Sequence, residues 1–287
     1  MYKNIVIAYD DSEFSKAALM ESSCWIKRHG GKAILVHSIF FDEEEFAVSL
    51  NQRSKRFELG EKICYQVREH VSTEFGLNGS LESIVCEGEP HDVLMNVAAA
   101  RNADLIAIGT HGRKGLKKLF LGSVTGRVLS SSPCDVLVVK NKLGKCTGNF
   151  ESVLLSFDGS EFSRKALVRA CELAKLEGSR ITAVYVIPRY EEMIEFFATS
   201  LIHENLQHDA ENIMEKAKTI AREHDVVINT EVASGDEAEE IVATAKRLNS
   251  DLIIRVTHGW SGINRAIMGS IAERVFINAP CPVLVVK

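Results

Sequence analysis

The chain alternates short runs of apolar residues with longer segments of mixed polarity. In the first half the apolar runs are Ile5–Tyr9, Ala33–Ile39, Leu81–Cys86, Leu105–Ile108 and Val136–Val139, and each predicts a buried strand. The mixed segments at about 13–28, 46–75, 90–102 and 119–130 predict helices. Continuously apolar strands that alternate with helices indicate a parallel sheet covered on both faces, and right-handed crossovers make it doubly wound.

Residues suited to helix ends mark two of these helices. Ser12 or Asp11 can cap the first helix, and Gly30-Gly31 can end it. Pro90 is expected as the first residue of the third helix, because proline is tolerated where a helix N–H has no intrahelical partner.

The second half of the chain repeats the first. Asp104–Lys140 matches Asp251–Lys287 without a gap, and about half of the aligned positions are identical. The polar stretch Asn141–Asn149 carries two glycines and reads as a linker. The sequence therefore predicts two similar α/β domains in tandem, at 1–142 and 149–287, each a doubly wound five-stranded parallel sheet.

In such sheets, ligands bind at the carboxyl ends of the strands, where the strand order reverses. The first and fourth strands are the natural candidates to flank that point. Asp10 ends the first strand, and its carboxylate or backbone can accept a hydrogen bond from an adenine amino group. An aspartate at this position can equally be a helix cap or a turn residue.

The loop after the fourth strand has features that suit a phosphate chain. Its glycines let backbone N–H groups approach oxygen atoms, and it leads into a helix whose N-terminus favours anions. Ser123 and Thr125 add hydroxyl groups there, and Arg113, Lys114 and two further lysines add positive charge. The alternative is that the glycines only make turns and the basic residues form a solvated face.

These residues resemble the universal stress protein family in its tandem form. The pattern Gly, two residues, Gly, nine residues, Gly, Ser is met by Gly109, Gly112, Gly122 and Ser123. The resemblance implies a Rossmann-like, adenine nucleotide alpha hydrolase-like fold. It also implies that Asp10 contacts adenine with Ser38 nearby and that Gly109 lies against the ribose. The phosphates would be held by Gly112, Gly122, Ser123, the backbone of Val124 and Thr125, with Arg113 in the same loop. One departure is Asp11, where the family usually has glycine.

The second repeat departs further from the family pattern. Asp158, Gly259, Gly269 and Ser270 remain as weaker candidate ligand contacts. However, Val256 stands in the place of Gly109, Ala272 in the place of Thr125, and the loop loses its basic residues. A β-branched side chain at the glycine position would crowd a ribose. We therefore expect the second repeat to bind nucleotide weakly or not at all.

Composition narrows the function classes. A net charge of -5 argues against a nucleic-acid binder, and no apolar run is long enough to span a bilayer, so a cytoplasmic protein is expected. The seven cysteines lack metal-site spacing and are expected to be free thiols. His111 and His258 recur at matching positions, either as a general base or as loop histidines satisfied by backbone partners.

The predicted function is binding of ATP or AMP, with or without Mg²⁺, in a stress-response or signalling role with little or no turnover. A slow ATPase and an interaction protein with vestigial pockets are the alternatives. The family resemblance further implies that the last strands of the two repeats, Val136–Val139 and Val283–Val286, pair within the chain. A homodimer of the whole chain is a further expectation.

Overall fold

The structure of the protein is a computed structural model. It describes residues 1–40, 50–77, 79–111, 121–140, 148–188, 200–256 and 269–287. The chain divides into two units, which we call the first unit, Met1–Asn149, and the second unit, Phe150–Lys287. The predicted α/β class and the tandem organisation are both confirmed.

The first unit is built on a parallel sheet with the strand order β3-β2-β1-β4-β5. Strand β1 therefore lies between β2 and β4, and the order reverses between β1 and β4, as expected. Its elements are β1 Asn4–Ala8, α1 Glu13–His29, β2 Lys32–Ile39, α2 Leu50–Phe75, β3 Leu81–Glu87, α3 Pro90–Ala100, β4 Leu105–Gly109, α4 Ser123–Ser131 and β5 Asp135–Val139.

The second unit repeats this topology. Its sheet is parallel, with the order β10-β9-β6-β7-β8. Its elements are β6 Ser152–Ser156, α5 Glu161–Glu177, β7 Arg180–Pro188, α6 Ser200–Glu223, β8 Asn229–Gly235, α7 Glu237–Arg247, β9 Leu252–Val256, α8 Ser270–Asn278 and β10 Val283–Val286.

Most predicted element ends lie within one or two residues of the observed ones. Ser12 caps α1, its side chain accepting from the Ser15 N–H, and Gly30 ends the helix at a φ of 71°. Pro90 begins α3. Helix α4 begins at Ser123 rather than near Leu119, because Gly122 takes an extended conformation (φ -58°, ψ 141°) and serves as the N-cap. Residues 46–49 of the predicted second helix lie outside the described residues.

An aspartate just before the fourth strand of each unit fixes the start of the first strand. The Asp104 carboxylate accepts from the backbone N–H groups of Lys3 and Asn4, at 2.7 and 3.0 Å. Asp251 does the same for Glu151 and Ser152. Burial raises the pKa of Asp251, although these N–H groups act in the opposite direction. The central strand pair is thus registered identically in the two units.

The cysteines only partly match the expectation of free thiols. The sulfur atoms of five cysteines are thiols outside any disulfide: Cys64, Cys86, Cys134, Cys171 and Cys281. Cys24 is disulfide-bonded, which corrects the expectation for that residue; sequence spacing alone does not determine disulfide connectivity. Burial raises the pKa of Cys171 to about 11 and that of Cys281 to about 12, so these two thiols stay protonated and unreactive at neutral pH. None of the helices described is long and apolar enough to cross a membrane.

Candidate functional site

A cavity of about 840 Å³ opens at the carboxyl ends of β1 and β4 in the first unit. This is the switch point of the sheet, where doubly wound folds bind their ligands. Seven predicted site residues line it: Asp10, Ser38, Gly109, Gly122, Ser123, Val124 and Thr125. Gly112 and Arg113 lie outside the described residues, as does Gly259 of the second unit.

Asp10 shapes the turn between β1 and α1. Its Oδ1 accepts from the Ser12 N–H at 3.1 Å, and its own N–H donates to the Ser15 hydroxyl at 3.3 Å. In the second unit, Asp158 makes the same contact with the Ser160 N–H at 2.9 Å. The turn role is therefore present in both units. Because Asp10 also lines the cavity, contact with adenine stays a prediction.

Asp11 keeps the turn that glycine makes in the second unit. Its φ of 66° lies in the left-handed region, close to the 81° of Gly159. The Asp11 carboxylate accepts from the Tyr9 hydroxyl at 3.0 Å and pairs with the Lys16 ammonium at 2.9 Å. The extra negative charge at this position is therefore partly compensated by a neighbouring lysine.

Gly109 is required by the approach of helix α1. A Cβ built on Gly109 would lie 2.6 Å from the Phe14 Cβ and 2.8 Å from the Phe14 carbonyl carbon. The sequence argument assigned this glycine to the ribose. The structure adds a different steric reason, since the missing side chain would collide with α1. Gly109 still lines the cavity, where its backbone can face a ligand.

The N-terminus of α4 opens on the same cavity. Gly122, the N-cap, has no side chain that could accept from the first N–H groups of the helix. Its N–H donates to the Thr110 carbonyl at 2.9 Å, which closes the base of the glycine loop. Ser123 and Val124, in the first turn, line the cavity. Backbone donors at such a helix start favour an anion.

The Thr125 hydroxyl bonds to the strand that precedes the glycine loop. Its Oγ1 donates to the Gly109 carbonyl at 2.8 Å, and the residue is buried. The hydroxyl thus satisfies the last carbonyl of β4, and its contact with a phosphate stays a prediction. Ser38 is similarly engaged, since its hydroxyl donates to the Gly88 carbonyl while the residue lines the cavity.

Several lining residues were not predicted from the sequence. They come mainly from α2 and from the starts of α3 and α4: Arg56, Leu59, Gly60, Ile63, Glu89, Leu94 and Arg127. His111, which the sequence offered as a possible general base, lines the cavity as well. Gly60 lets α2 approach the sheet, because a Cβ there would lie 3.2 to 3.3 Å from His37, Ile39 and Val85. A glycine within a predicted helix was the available signal for this close approach.

The second unit places a charged side chain at the corresponding strand end. Arg255, which replaces Ile108, is only 7% exposed. Its Nε donates to the Val256 carbonyl at 3.1 Å. That carbonyl corresponds to the one of Gly109, which Thr125 satisfies in the first unit. Ala272 stands in the place of Thr125, so the arginine takes over the hydrogen bond that the alanine cannot make.

The buried guanidinium is balanced by carboxylates. Burial lowers the pKa of Arg255, while the charges of Glu237 and Asp158 act in the opposite direction. Burial raises the pKa of Glu237, and the positive charge of Arg255 opposes that shift. Gly269 and Ser270 begin α8 as Gly122 and Ser123 begin α4. The second unit therefore keeps the helix start but changes the strand end.

Comparisons with known proteins agree with this architecture. The family model described as "Universal stress protein family" matches residues 1–140 and again 149–287. Universal stress protein MJ0531 of Methanocaldococcus jannaschii is 36% identical over 140 residues, which cover 48% of this chain and 82% of that protein. A universal stress protein from Thermus aquaticus is 30% identical over 145 residues, 49% of this chain and 100% of the relative.

A solved structure shares the fold over nearly the whole chain. The crystal structure of a universal stress protein from Archaeoglobus fulgidus has a TM-score of 0.73 and 21% identity, and the match covers 99% of this chain and 96% of that one. The two family matches together span almost the full sequence. The chain therefore belongs to the universal stress protein family, with two of its domains in tandem.

Proposed function

We propose that the first unit binds an adenine nucleotide, ATP or AMP, in a stress-response or signalling role with little or no turnover. The observation that carries the proposal is the start of α4, which has no side-chain cap and where Gly122 and Ser123 open on a cavity of about 840 Å³ at the switch point. Mg²⁺ would accompany a bound triphosphate as its counter-ion.

The same cavity can accommodate the rest of a nucleotide. Apolar side chains from three elements, Val36, Leu59 and Leu94, line it beside the carboxylate of Asp10. A mostly apolar pocket with a few polar groups is typical of small-molecule sites. In the proposed arrangement the base lies near Asp10 and Ser38, and the phosphates lie at α4.

We propose that the second unit does not bind the nucleotide with comparable affinity. Arg255 is buried at the position that Ile108 occupies in the lining of the first cavity. Its Nε donates to the Val256 carbonyl, and the charges of Glu237 and Asp158 act on its guanidinium. A nucleotide there would have to displace or desolvate this charge cluster.

Calorimetric titration with ATP and AMP tests the proposal, and the expected stoichiometry is one nucleotide per chain. Two equivalent sites would contradict the assignment to the first unit. At a ligand concentration of 100 Kd, binding stabilises the folded state by about 2.7 kcal/mol, so a thermal shift should accompany it. Mass spectrometry of nucleotide released from the purified protein identifies the ligand, and phosphate release measures turnover.

A matched pair of variants assigns the site to one unit. Ser123→Asp places a carboxylate at the start of α4, where it repels phosphate, and Ser270→Asp makes the same change at the start of α8. Both serines are exposed, so neither change disturbs the core. We expect Ser123→Asp to abolish binding and Ser270→Asp to leave it intact. The opposite result would move the site to the second unit.

Pairing of the last strands of the two units, and a homodimer of the whole chain, also remain proposals. Chemical crosslinking between residues next to β5 and β10 tests the first. Light scattering after size-exclusion chromatography tests the second, where a mass of one chain would contradict a homodimer.

A further inference from the structure

His111 has a buried ring nitrogen for which the described residues provide no hydrogen-bond partner. The residue follows β4, is 9% exposed and lines the cavity of the first unit. Its Nε2 is buried and has no hydrogen-bond partner in the part of the chain described here. Because buried polar atoms are normally hydrogen-bonded, an unpartnered nitrogen on a residue that lines the cavity is a candidate contact for a bound ligand.

Contacts on three sides fix the position of His111. Its ring packs at 5.4 Å, centroid to centroid, against the ring of Phe14 on α1. Its Nδ1 lies 3.1 Å from the hydroxyl oxygen of Thr110, which is itself fully buried. The Ser12 hydroxyl donates to the His111 carbonyl at 3.4 Å. The contacts with Phe14 and Thr110 position the imidazole ring, and the contact with Ser12 positions the backbone of His111.

The neighbours of His111 decide which part of a ligand it meets. Its Cα lies 3.5 Å from the position that a Cβ on Gly122 would occupy, so it sits beside the start of α4. The backbone donors at this helix start favour an anion. When the buried Thr110 hydroxyl donates to Nδ1, the ring proton is on Nε2 and Nε2–H is a donor.

We propose that Nε2–H of His111 donates a hydrogen bond to a phosphate oxygen of the bound nucleotide. This inference deepens the proposed function and rests on it. His111 is then a ligand-binding residue that distinguishes phosphorylated adenine compounds from adenosine. Its Nε2–H adds one more hydrogen-bond donor to the backbone N–H groups at the start of α4.

The test compares ATP, AMP and adenosine on matched variants by calorimetry. His111→Phe keeps a ring against Phe14 but removes both nitrogens, and His111→Gln keeps an N–H donor. A hydrogen bond to a charged group predicts a loss of about tenfold or more in the affinity of His111→Phe for ATP and AMP. Its affinity for adenosine should not change, and His111→Gln should recover part of the loss.

The control is His29→Phe, which removes the nitrogens of another histidine that packs on an aromatic ring, that of Trp25 at 4.2 Å. His29 is not among the cavity-lining residues, so nucleotide affinity should be unchanged. If His111→Phe binds AMP as tightly as the parent protein, or loses adenosine to the same extent, the role of His111 is overturned. If the parent protein binds no adenine nucleotide, the proposed function itself fails.

A measurement on the unsubstituted protein does not depend on whether a variant folds. With ¹⁵N-labelled histidine, AMP should shift the Nε2 resonance of His111, whereas adenosine should shift it much less. Equal shifts with AMP and adenosine, or no shift with AMP at saturation, would contradict a phosphate contact.

Discussion

The last carbonyl of the fourth strand accepts a hydrogen bond from a different side chain in each unit. In the first unit the Thr125 hydroxyl donates to the Gly109 carbonyl at 2.8 Å. In the second unit the Arg255 Nε donates to the Val256 carbonyl at 3.1 Å. The first solution leaves an apolar wall beside the cavity, and the second buries a positive charge at that wall. The duplicated scaffold is therefore preserved while the chemistry at the carboxyl end of the fourth strand differs.

The difference extends to the helix that packs on this strand. In the first unit, Phe14 of α1 contacts Gly109 closely and its ring packs on His111. In the second unit the equivalent Phe162 is 41% exposed, and the β-branched Val256 is buried. Glycine at the strand end thus allows the phenylalanine of the first helix to pack closely against it. Where valine stands at the strand end, the corresponding phenylalanine is exposed. The comparison shows that one position couples helix packing to the ligand edge.

The largest expected effect comes from copying the second unit's valine into the first. In Gly109→Val the new Cβ would lie 2.6 Å from the Phe14 Cβ, so α1 must move. Overpacking of this kind typically costs about 1–3 kcal/mol, and here the contact also involves backbone, so we expect about 3 kcal/mol. Nucleotide affinity should fall by at least tenfold. Urea unfolding, followed by Trp25 fluorescence in a Trp260→Phe background, measures the loss of stability. Calorimetry measures the loss of nucleotide affinity.

Gly126→Ala is the control for that substitution. Gly126 lies in α4, where an added Cβ meets no atom within 4 Å. Because alanine has a higher helix propensity than glycine, this variant should be up to about 1 kcal/mol more stable. If Gly109→Val is tolerated as well as Gly126→Ala, the close approach of α1 does not explain why glycine stands at position 109.

Removing the Thr125 hydroxyl should have the next largest effect. Thr125→Ala leaves the buried Gly109 carbonyl without this donor, which costs about 1–3 kcal/mol. Thr125→Ser retains the hydroxyl and should recover most of the loss. Equilibrium unfolding of the three proteins measures the difference. If serine is as destabilising as alanine, the lost methyl group rather than the hydrogen bond is responsible.

A double substitution in the second unit tests whether the two solutions are interchangeable. Arg255→Ile alone removes the donor to the Val256 carbonyl, and Ala272→Thr supplies a hydroxyl at the position of Thr125. The coupling in a double-mutant cycle should be about 1 kcal/mol in favour of the combined variant. Hydrogen exchange of the β9 amides, Leu252–Val256, measures it. Additive effects would show that the two donors serve different carbonyls.

The comparison also separates what sequence patterns could predict from what they could not. The apolar runs and the repeat predicted the strands themselves, and the doubly wound class that they indicate placed β1 and β4 beside the switch point. The position of Asp10 followed from the end of β1, whereas the Gly122 N-cap was not predicted. The predicted features depend on neighbours in the sequence, where periodicity and capping preferences act.

The roles of individual side chains depended on distances between elements. The Thr125 hydroxyl bonds to Gly109, 16 positions away, and Gly109 is fixed by Phe14 on another helix. The burial of Arg255 is likewise invisible in the sequence, where an arginine in a strand reads only as a departure from the apolar pattern. No residue-level pattern identifies which carbonyl a buried donor reaches, so these contacts required three-dimensional coordinates.

The smallest effect is expected at the turn after the first strand of each unit, where Asp11 and Gly159 are the corresponding residues. Asp11→Gly relieves a left-handed φ of 66°, but the more flexible unfolded chain and the loss of the exposed pair with Lys16 offset that gain. We expect the free energy of unfolding to change by less than about 1 kcal/mol. Gly159→Asp should behave alike, since its Cβ would only make ordinary contacts with Ile213, at 3.5 Å or more. A change above about 2 kcal/mol in either variant would mean that the two turns are not equivalent.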